Sequence, residues 1–333
     1  MARPVRDLIV VGASAGGVEA LGSLVSGLPA GLPAAVAVVL HMPARGSSAL
    51  PRILDRLGPL PAVAARSGTP VRPGRVYAAR PDHHLLVADD RFILSRGPTE
   101  NGYRPSVDAL FRSAAVAAGS RVVGVLLSGV LDDGVAGLVA IRRRGGLVLV
   151  QDPADALHPG MPENALRHVP TAVVLPAAEM GRWLAKEIEQ PALVEASAVS
   201  ATLVRENEIA GSESGDGGAG EVTIGMASSY SCPDCRSVLN EVEPGSMRYR
   251  CQVGHGWTAE ALAVAQGGTL ERALWMALRT LEDRSRLSRR MARAAEERGD
   301  ERSARRHHDL VEESVTAAAT LRRFLTSIAR DAR

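Results

Sequence analysis

The sequence has 333 residues, a prior of roughly two domains at about 150 residues each, and its 46 % hydrophobic and 23 % charged residues exclude a wholly disordered chain. Lysine plus arginine number 39 against 37 acidic residues, a net charge of +2, so no overall field points to nucleic acid or a membrane surface. No apolar run reaches the roughly 18 residues of a membrane span, Leu8 to Val11 is too short for a signal peptide, and three cysteines without an export signal fit a reducing cytoplasm better than a disulfide framework.

From the N-terminus, Leu8 to Val11 reads as a buried strand and Gly17 to Leu28 as a helix stopped by Pro29. Ala35 to Leu40 (AVAVVL) is a second buried strand, and Ser47 and Ser48 offer N-caps for a helix through Leu57. Arg75 to Ala78 and Leu85 to Val87 follow, the latter pairing with Phe92 to Leu94 as a hairpin across Asp89 and Asp90. Ser106 offers a cap for a helix to Ala118, Val122 to Leu127 is the next strand, Gly134 to Arg144 a helix, and Leu147 to Val150 a strand. Continuous aliphatic strands alternating with helices predict an α/β fold: a doubly wound, mainly parallel sheet with helices on both faces.

The organisation expected is an α/β domain over 1–189, a flexible linker over 190–228, a small Cys-bearing module over 229–262, and a helical hairpin or coiled-coil-like tail over 263–333. The linker is read from the Gly- and Ser-rich stretch 211–220. The tail is read from Leu274, Leu278 and Leu281 and from Val311, Ala318 and Leu325, which fall at helical and heptad spacings.

Two constellations carry chemistry. Gly12 to Gly17 reads GASAGG between a strand and a helix, so Ser14 stands in a G-x-S-x-G turn that exposes a hydroxyl. A dinucleotide-binding turn is the rival, but Ser14 occupies the second glycine's place and His41, not an acid, ends the second strand. Both residues should line one crevice at the strands' carboxyl ends, with His41 as a general base. Asp132 and Asp133 follow the strand at 122–127, and one of them completes a Ser–His–Asp set. His83, His84 and His158 are rival bases, and Arg96, Arg104 and Arg112 read as a solvated face.

The second constellation is Cys232, Cys235, Cys251 and His255, spaced C-x2-C-x15-C-x3-H. Three thiolates and an imidazole suit a four-coordinate, structural Zn²⁺ in a zinc-ribbon-like module too small to fold on a core alone. A redox pair at Cys232 and Cys235 would leave Cys251 and His255 idle.

The segments IVVGASAGG, VVLHMP, PDHHLLV, PSVDALFRSAA, LLSGVLDDGVAGL and QDPADALHPGMPENA resemble, in order, the catalytic domain of the chemotaxis protein-glutamate methylesterases. That resemblance implies a doubly wound α/β sandwich with Ser14 as nucleophile, His41 as base and Asp133 as the orienting acid. It implies hydrolysis of γ-glutamyl methyl esters on the cytoplasmic helices of chemoreceptors with release of methanol, deamidation of receptor glutamines in some members, and no catalytic cofactor. The family pattern is departed from at Ala15, where many members have Thr, and at Val130-Leu131, where Met-Gly is usual. The similarity begins almost at Met1, so the family's N-terminal receiver domain, and gating by its phosphorylation, are not expected. Removal of everything after Glu189 is expected to spare hydrolysis of a small ester, with the C-terminal helices serving a partner or self-association. The alternatives are an interaction module that binds receptors or a signalling partner, and a small-molecule serine esterase.

Overall fold

The structure is a computed structural model and describes residues 5–46, 48–192, 197–212 and 224–331. It divides into two compact units, Met1–Leu262 and Ala263–Arg333. Ser47 lies outside the described residues, as does most of the Gly- and Ser-rich stretch read as the linker's centre.

In the first unit the chain runs β1 (Leu8–Ala13), α1 (Gly17–Ser26), β2 (Ala35–Leu40), α2 (Leu50–Leu57), β3 (Ala62–Ala64) and β4 (Arg75–Ala78). A hairpin of β5 (His84–Ala88) and β6 (Arg91–Ser95) and then α3 (Val107–Ala118) follow. The sequence continues β7 (Val122–Leu126), α4 (Val135–Arg143), β8 (Leu147–Gln151), α5 (Gly160–His168), β9 (Val173–Leu175) and α6 (Ala177–Ile188). Seven strands form one parallel sheet in the order β3-β4-β2-β1-β7-β8-β9. The chain therefore fills one half of the sheet from β1, with β4 entering between β2 and the edge strand β3, and then returns to start the other half at β7. The crevice at such a reversal, outside the strands' carboxyl ends, is where open α/β sheets place their sites.

Alternation along the strands supplies two cores. Leu8, Val10, Ala37 and Val39 face one way, against Leu110, Phe111 and Leu138 of α3 and α4. Ile9, Val11, Val36 and Val38 face the other way, against Leu21, Leu24, Leu54, Met180 and Leu184 of α1, α2 and α6. Leu21 and Leu24 are fully buried, and cutting either to Ala costs about 2–5 kcal/mol. The β5–β6 hairpin closes through Asp89 and Asp90, both at positive φ, the conformation that two-residue hairpin turns require.

The stretch 190–228 is not uniformly linker-like. Ala201–Gly211 forms α7, whose N-cap Ser200 accepts the N–H of Leu203. Ile209 packs with Ile224 and Val242, and Ala210 with Leu86 and Ala109. The Gly-rich composition just beyond masks this helix in the sequence. Four antiparallel strands then make a small sheet: β10 (Met226–Ser231), β11 (Val238–Glu241), β12 (Arg248–Cys251) and β13 (Gly256–Thr258).

In the second unit, the remainder of α8 (Ala259–Glu297) and α9 (Glu301–Asp331) form a helical hairpin, turning at Gly299 with φ 73°. Leu278, Ala318 and Leu325 are buried between them, with Leu274, Leu281 and Leu321 packed around. No helix among the described residues is long and apolar enough to cross a membrane.

Candidate active site

Ser14 follows the last residue of β1 and leads into α1. Its N–H donates to the carbonyl of Ser128 at 2.9 Å, and the Ser128 hydroxyl donates to the carbonyl of Ala15 at 2.8 Å, so the turn is tied to the end of β7 on both sides. Gly16 has φ 70°, which an L side chain disfavours. A Cβ on Gly129 would lie 2.0 Å from Met161 Sδ and 2.9 Å from Ser14 Cβ; only glycine admits this close approach.

His41 lies just past β2, one strand away, with its backbone N–H on the Ala13 carbonyl. Its Nδ1 is 3.1 Å from Ser14 Oγ and its Nε2 is 2.7 Å from Asp133 Oδ2. The imidazole and the carboxylate are both nearly inaccessible, 4 % and 2 % exposed. Tyr103 stacks on the imidazole, with ring centroids 3.7 Å apart and planes 6° from parallel.

Asp133 separates clearly from its neighbour Asp132. Its Oδ2 also accepts the N–H of Val107 at 2.7 Å. Its Oδ1 accepts from Ser106 Oγ at 2.9 Å, the N–H of Asp108 at 3.2 Å and Asn101 Nδ2 at 3.4 Å. The carboxylate thus sits on the N-terminus of α3, where helix N–H groups favour negative charge. Burial alone would raise the Asp133 carboxyl; the hydrogen bond and charge of His41 and the Val107 N–H outweigh it and hold the carboxyl below its usual range. Asp132 instead accepts the Thr258 hydroxyl at 2.7 Å. Burial pushes Asp132 up to about 6, with the charges of Glu260 and Asp133 adding to that rise and the Thr258 hydrogen bond opposing it.

Leu131, just before this pair, has φ 64°, a conformation that costs a non-glycine residue about 1–2 kcal/mol. Asn164 Nδ2 holds its carbonyl at 2.7 Å and also meets Glu260 at 2.9 Å.

The rival histidines are engaged elsewhere. His84 is buried, with Nε2 on the Pro98 carbonyl and Nδ1 accepting the Ser106 N–H; His83 Nδ1 faces the Pro81 carbonyl. His158 contributes backbone: its N–H meets Ser128 Oγ and its carbonyl accepts the N–H of Gly129. Arg112 is not on a solvated face. It is 1 % exposed and pairs with Glu100 at 2.6 Å, and Arg250 of β12 reaches the same carboxylate at 2.8 Å. Burial would raise Glu100, but these two guanidinium charges hold it far below the usual carboxylate range. Glu206 of α7 joins through Arg248 and Arg250. Arg104 pairs with Asp82 at 2.6 Å. A cleft of about 620 Å³ lined by Arg112, Asp132, Val139, Arg143, Arg248 and Thr258 lies nearby, and neither Ser14 nor His41 lines it.

The second constellation also converges. The ligand atoms of Cys232, Cys235, Cys251 and His255 all lie within 4.8 Å of one another. Cys235 Sγ is 3.6 Å from Cys251 Sγ, and His255 Nδ1 is 3.5 and 3.7 Å from the sulfurs of Cys251 and Cys232. A tetrahedral centre with metal–sulfur and metal–nitrogen bonds of about 2.3 and 2.0 Å has ligand edges of about 3.8 Å (S–S) and 3.5 Å (S–N), so the donor set fits such an ion.

Chemically, Ser14, His41 and Asp133 form a hydrogen-bonded series able to move a proton from a hydroxyl to an imidazole beside a buried carboxylate. Ser106, Asn101, Tyr103 and Ser128 support it and escape a sequence reading. Ser106 and Ser128, beside a helix start and a strand end, carry a local signal, and Asn101-Gly102 marks a turn, but none of these shows a link to the carboxylate.

The family model described as CheB methylesterase matches residues 9–184. A protein-glutamate methylesterase/protein-glutamine glutaminase of Rhodospirillum rubrum is 42 % identical over 170 residues, 50 % of this chain and 47 % of the relative. One from a Nocardioides species is 41 % identical over 199 residues, covering 58 % and 54 %. The chain spans about half the length of these curated relatives. The crystal structure of the Thermotoga maritima CheB methylesterase catalytic domain matches with a TM-score of 0.52 at 31 % identity, over 56 % of this chain and 98 % of that one.

Proposed function

The chain belongs to the CheB methylesterase family, and on that footing we propose that it is a serine hydrolase that removes methyl groups from γ-glutamyl methyl esters of chemoreceptors. The observation that carries this reading is the pair of contacts made by one imidazole, Nδ1 to Ser14 Oγ at 3.1 Å and Nε2 to Asp133 at 2.7 Å. With Asp133 ionised, Nε2 carries the ring hydrogen and Nδ1 presents its lone pair to the serine hydroxyl.

Ser14 Oγ attacks the ester carbonyl as its proton passes to His41 Nδ1. The N–H groups of Ala15 and Gly16, at the start of α1, are the proposed donors to the oxyanion. The tetrahedral intermediate collapses; its C–O bond to methoxide breaks, and the imidazolium proton leaves with the methoxide as methanol. Water then gives one proton to His41 and attacks the acyl-serine; Ser14 leaves, recovering its hydrogen from His41, and the γ-carboxylic acid so formed loses its remaining proton to solvent as the γ-carboxylate. Asp133 stays ionised throughout and stabilises the imidazolium. The same steps on a receptor glutamine amide release ammonia. No cofactor enters the chemistry.

Cys232, Cys235, Cys251 and His255 hold a structural Zn²⁺ in this reading. Four protein ligands leave no open position for water, so the ion supplies folding energy to a small sheet rather than catalysis. The protein acts in the cytoplasm, where cysteines outside disulfides persist as thiolates and receptor helices are accessible. The test is incubation with radiomethylated receptor membranes: the full chain is expected to release volatile methanol and Ser14→Ala none. Equal release by both proteins rejects the mechanism.

A further inference from the structure

The small C-terminal sheet meets the proposed active site at one turn, Glu100 to Tyr103. Glu100 and Tyr103 exchange both backbone hydrogen bonds, and Asn101 and Gly102 have φ 52° and 77°, the conformation that makes Asn-Gly a preferred tight turn. Asn101 is engaged on three sides. Its N–H donates to the carbonyl of Gly256 at 2.8 Å, its Oδ1 accepts the N–H of Thr258 at 2.8 Å, and its Nδ2 donates to Asp133 Oδ1 at 3.4 Å. The first two partners belong to β13, which begins directly after His255; the third is the carboxylate paired with His41.

The direction of these bonds matters. An amide side chain has one accepting and one donating end. The Thr258 N–H claims the accepting end, so the donating end must face Asp133. Without that claim the amide is free to turn its oxygen toward the carboxylate, where the two repel. At the other end of the turn Tyr103 lies flat on the imidazole of His41. One turn therefore touches both His41 and Asp133. Beneath it, Glu100 is clamped by Arg112 from α3 and Arg250 from β12, all at most 4 % exposed, and taking apart such a buried charged set is costly. Thr258 also reaches Asp132 through its hydroxyl.

We infer, on the hydrolase reading above, that Asn101 is a positioning residue for the reaction and that the Cys3His module acts on the active site through it. β13 orients the amide; the amide and the stacked Tyr103 hold the Asp133–His41 pair in line while the imidazole gains and loses its proton. The module is then part of the site's support, and on this inference a chain cut after Glu189, which lacks both the Gly256 carbonyl and the Thr258 N–H, is expected to lose rate even on a small ester, against the separability expected from the sequence.

The test uses the full chain, its Asn101→Gly variant, which keeps the positive φ and loses the amide, and Asn101→Asp, which keeps an acceptor for Thr258 and sets a carboxylate against Asp133. Three readouts are taken: kcat and KM for methanol release from methylated receptor membranes, the pH–rate profile, and the downfield proton NMR resonance of the imidazole N–H facing Asp133. Asn101→Gly is expected to lower kcat about 10-fold, the loss of one hydrogen bond to a charged group, with KM and bound zinc unchanged and the resonance displaced. Asn101→Asp is expected to move the rate profile to higher pH, since the added negative charge favours the imidazolium. Stripping zinc with a chelator is expected to lower kcat and displace the resonance in the wild type, and to do little more in Asn101→Gly. A wild-type kcat and resonance in Asn101→Gly, or equal effects of the chelator in both proteins, overturns the inference. Absence of methanol release and of fluorophosphonate labelling at Ser14 in the wild type rejects the hydrolase reading instead, and the resonance still reports whether Asn101 positions the pair.

Discussion

The hydroxyl of Ser106 donates to Asp133 at 2.9 Å, so the residue that opens α3 serves the carboxylate behind His41 rather than capping its own helix. Its side chain makes no cap bond; Asp133 takes the helix's first N–H groups in its place. Ser106→Ala removes one of several donors, and the expected outcome is a loss of about 5- to 10-fold in kcat, the worth of one hydrogen bond. Steady-state assay beside circular dichroism checks it.

The two adjacent aspartates should behave oppositely. Asp133→Asn replaces the acceptor of the imidazole N–H with a group that cannot stabilise imidazolium, and a loss of about 10⁴-fold is expected. Asp132→Asn keeps an oxygen for the Thr258 hydroxyl and should leave kcat within a few-fold. The reverse ranking would assign the proposed role to the wrong carboxylate.

Asp132 also gives a stability test with a definite sign. Its carboxyl is raised from 3.8 to about 6 by burial first, then by Glu260 and Asp133. The folded chain therefore binds this proton more tightly than the unfolded one, so ionisation destabilises the fold and does so fully above pH 6. Asp132→Asn is expected to unfold at a higher temperature than wild type at pH 8. The gap should shrink as pH falls below about 6 and be mostly lost by pH 4, close to the unfolded value of 3.8, below which both states of the wild type are protonated. Thermal melts at the two pH values decide it.

Much of this site is legible in the sequence because parallel sheets bring strand ends together. Ser14 and His41 each sit immediately beyond an aliphatic run, and β1 and β2 pair in parallel, so a crevice containing both follows from the pattern alone. The two acids after β7 are placed but not ranked, since adjacent residues differ only in which side the loop turns them. The role of Asn101 is invisible for a different reason: Asn101-Gly102 marks a turn, but its partner Thr258 lies 157 positions away. Arg112 reads as a surface arginine until Glu100 and Arg250 supply its counter-charge and burial. The three-residue strands β3 and β9 are too short to show a pattern. Helix α7 is hidden by the glycines that follow it.

Protein purified under reducing conditions without chelator is expected to carry one Zn²⁺ per chain. Thiolate ligation supplies on the order of 10 kcal/mol to so small a unit, so removal of the ion should lower the unfolding temperature. Cys251→Ser should lose the metal. Elemental analysis of both proteins checks this, and a metal-free wild type would refute the site.

The most direct measurement of the central claim, that Ser14 is a nucleophile activated by His41 and Asp133, is intact-mass spectrometry after treatment with a fluorophosphonate. One adduct per chain, mapped to Ser14, is expected, forming far more slowly in His41→Ala and not at all in Ser14→Ala. Labelling of Ser14→Ala at the wild-type rate, or at another residue, would contradict it.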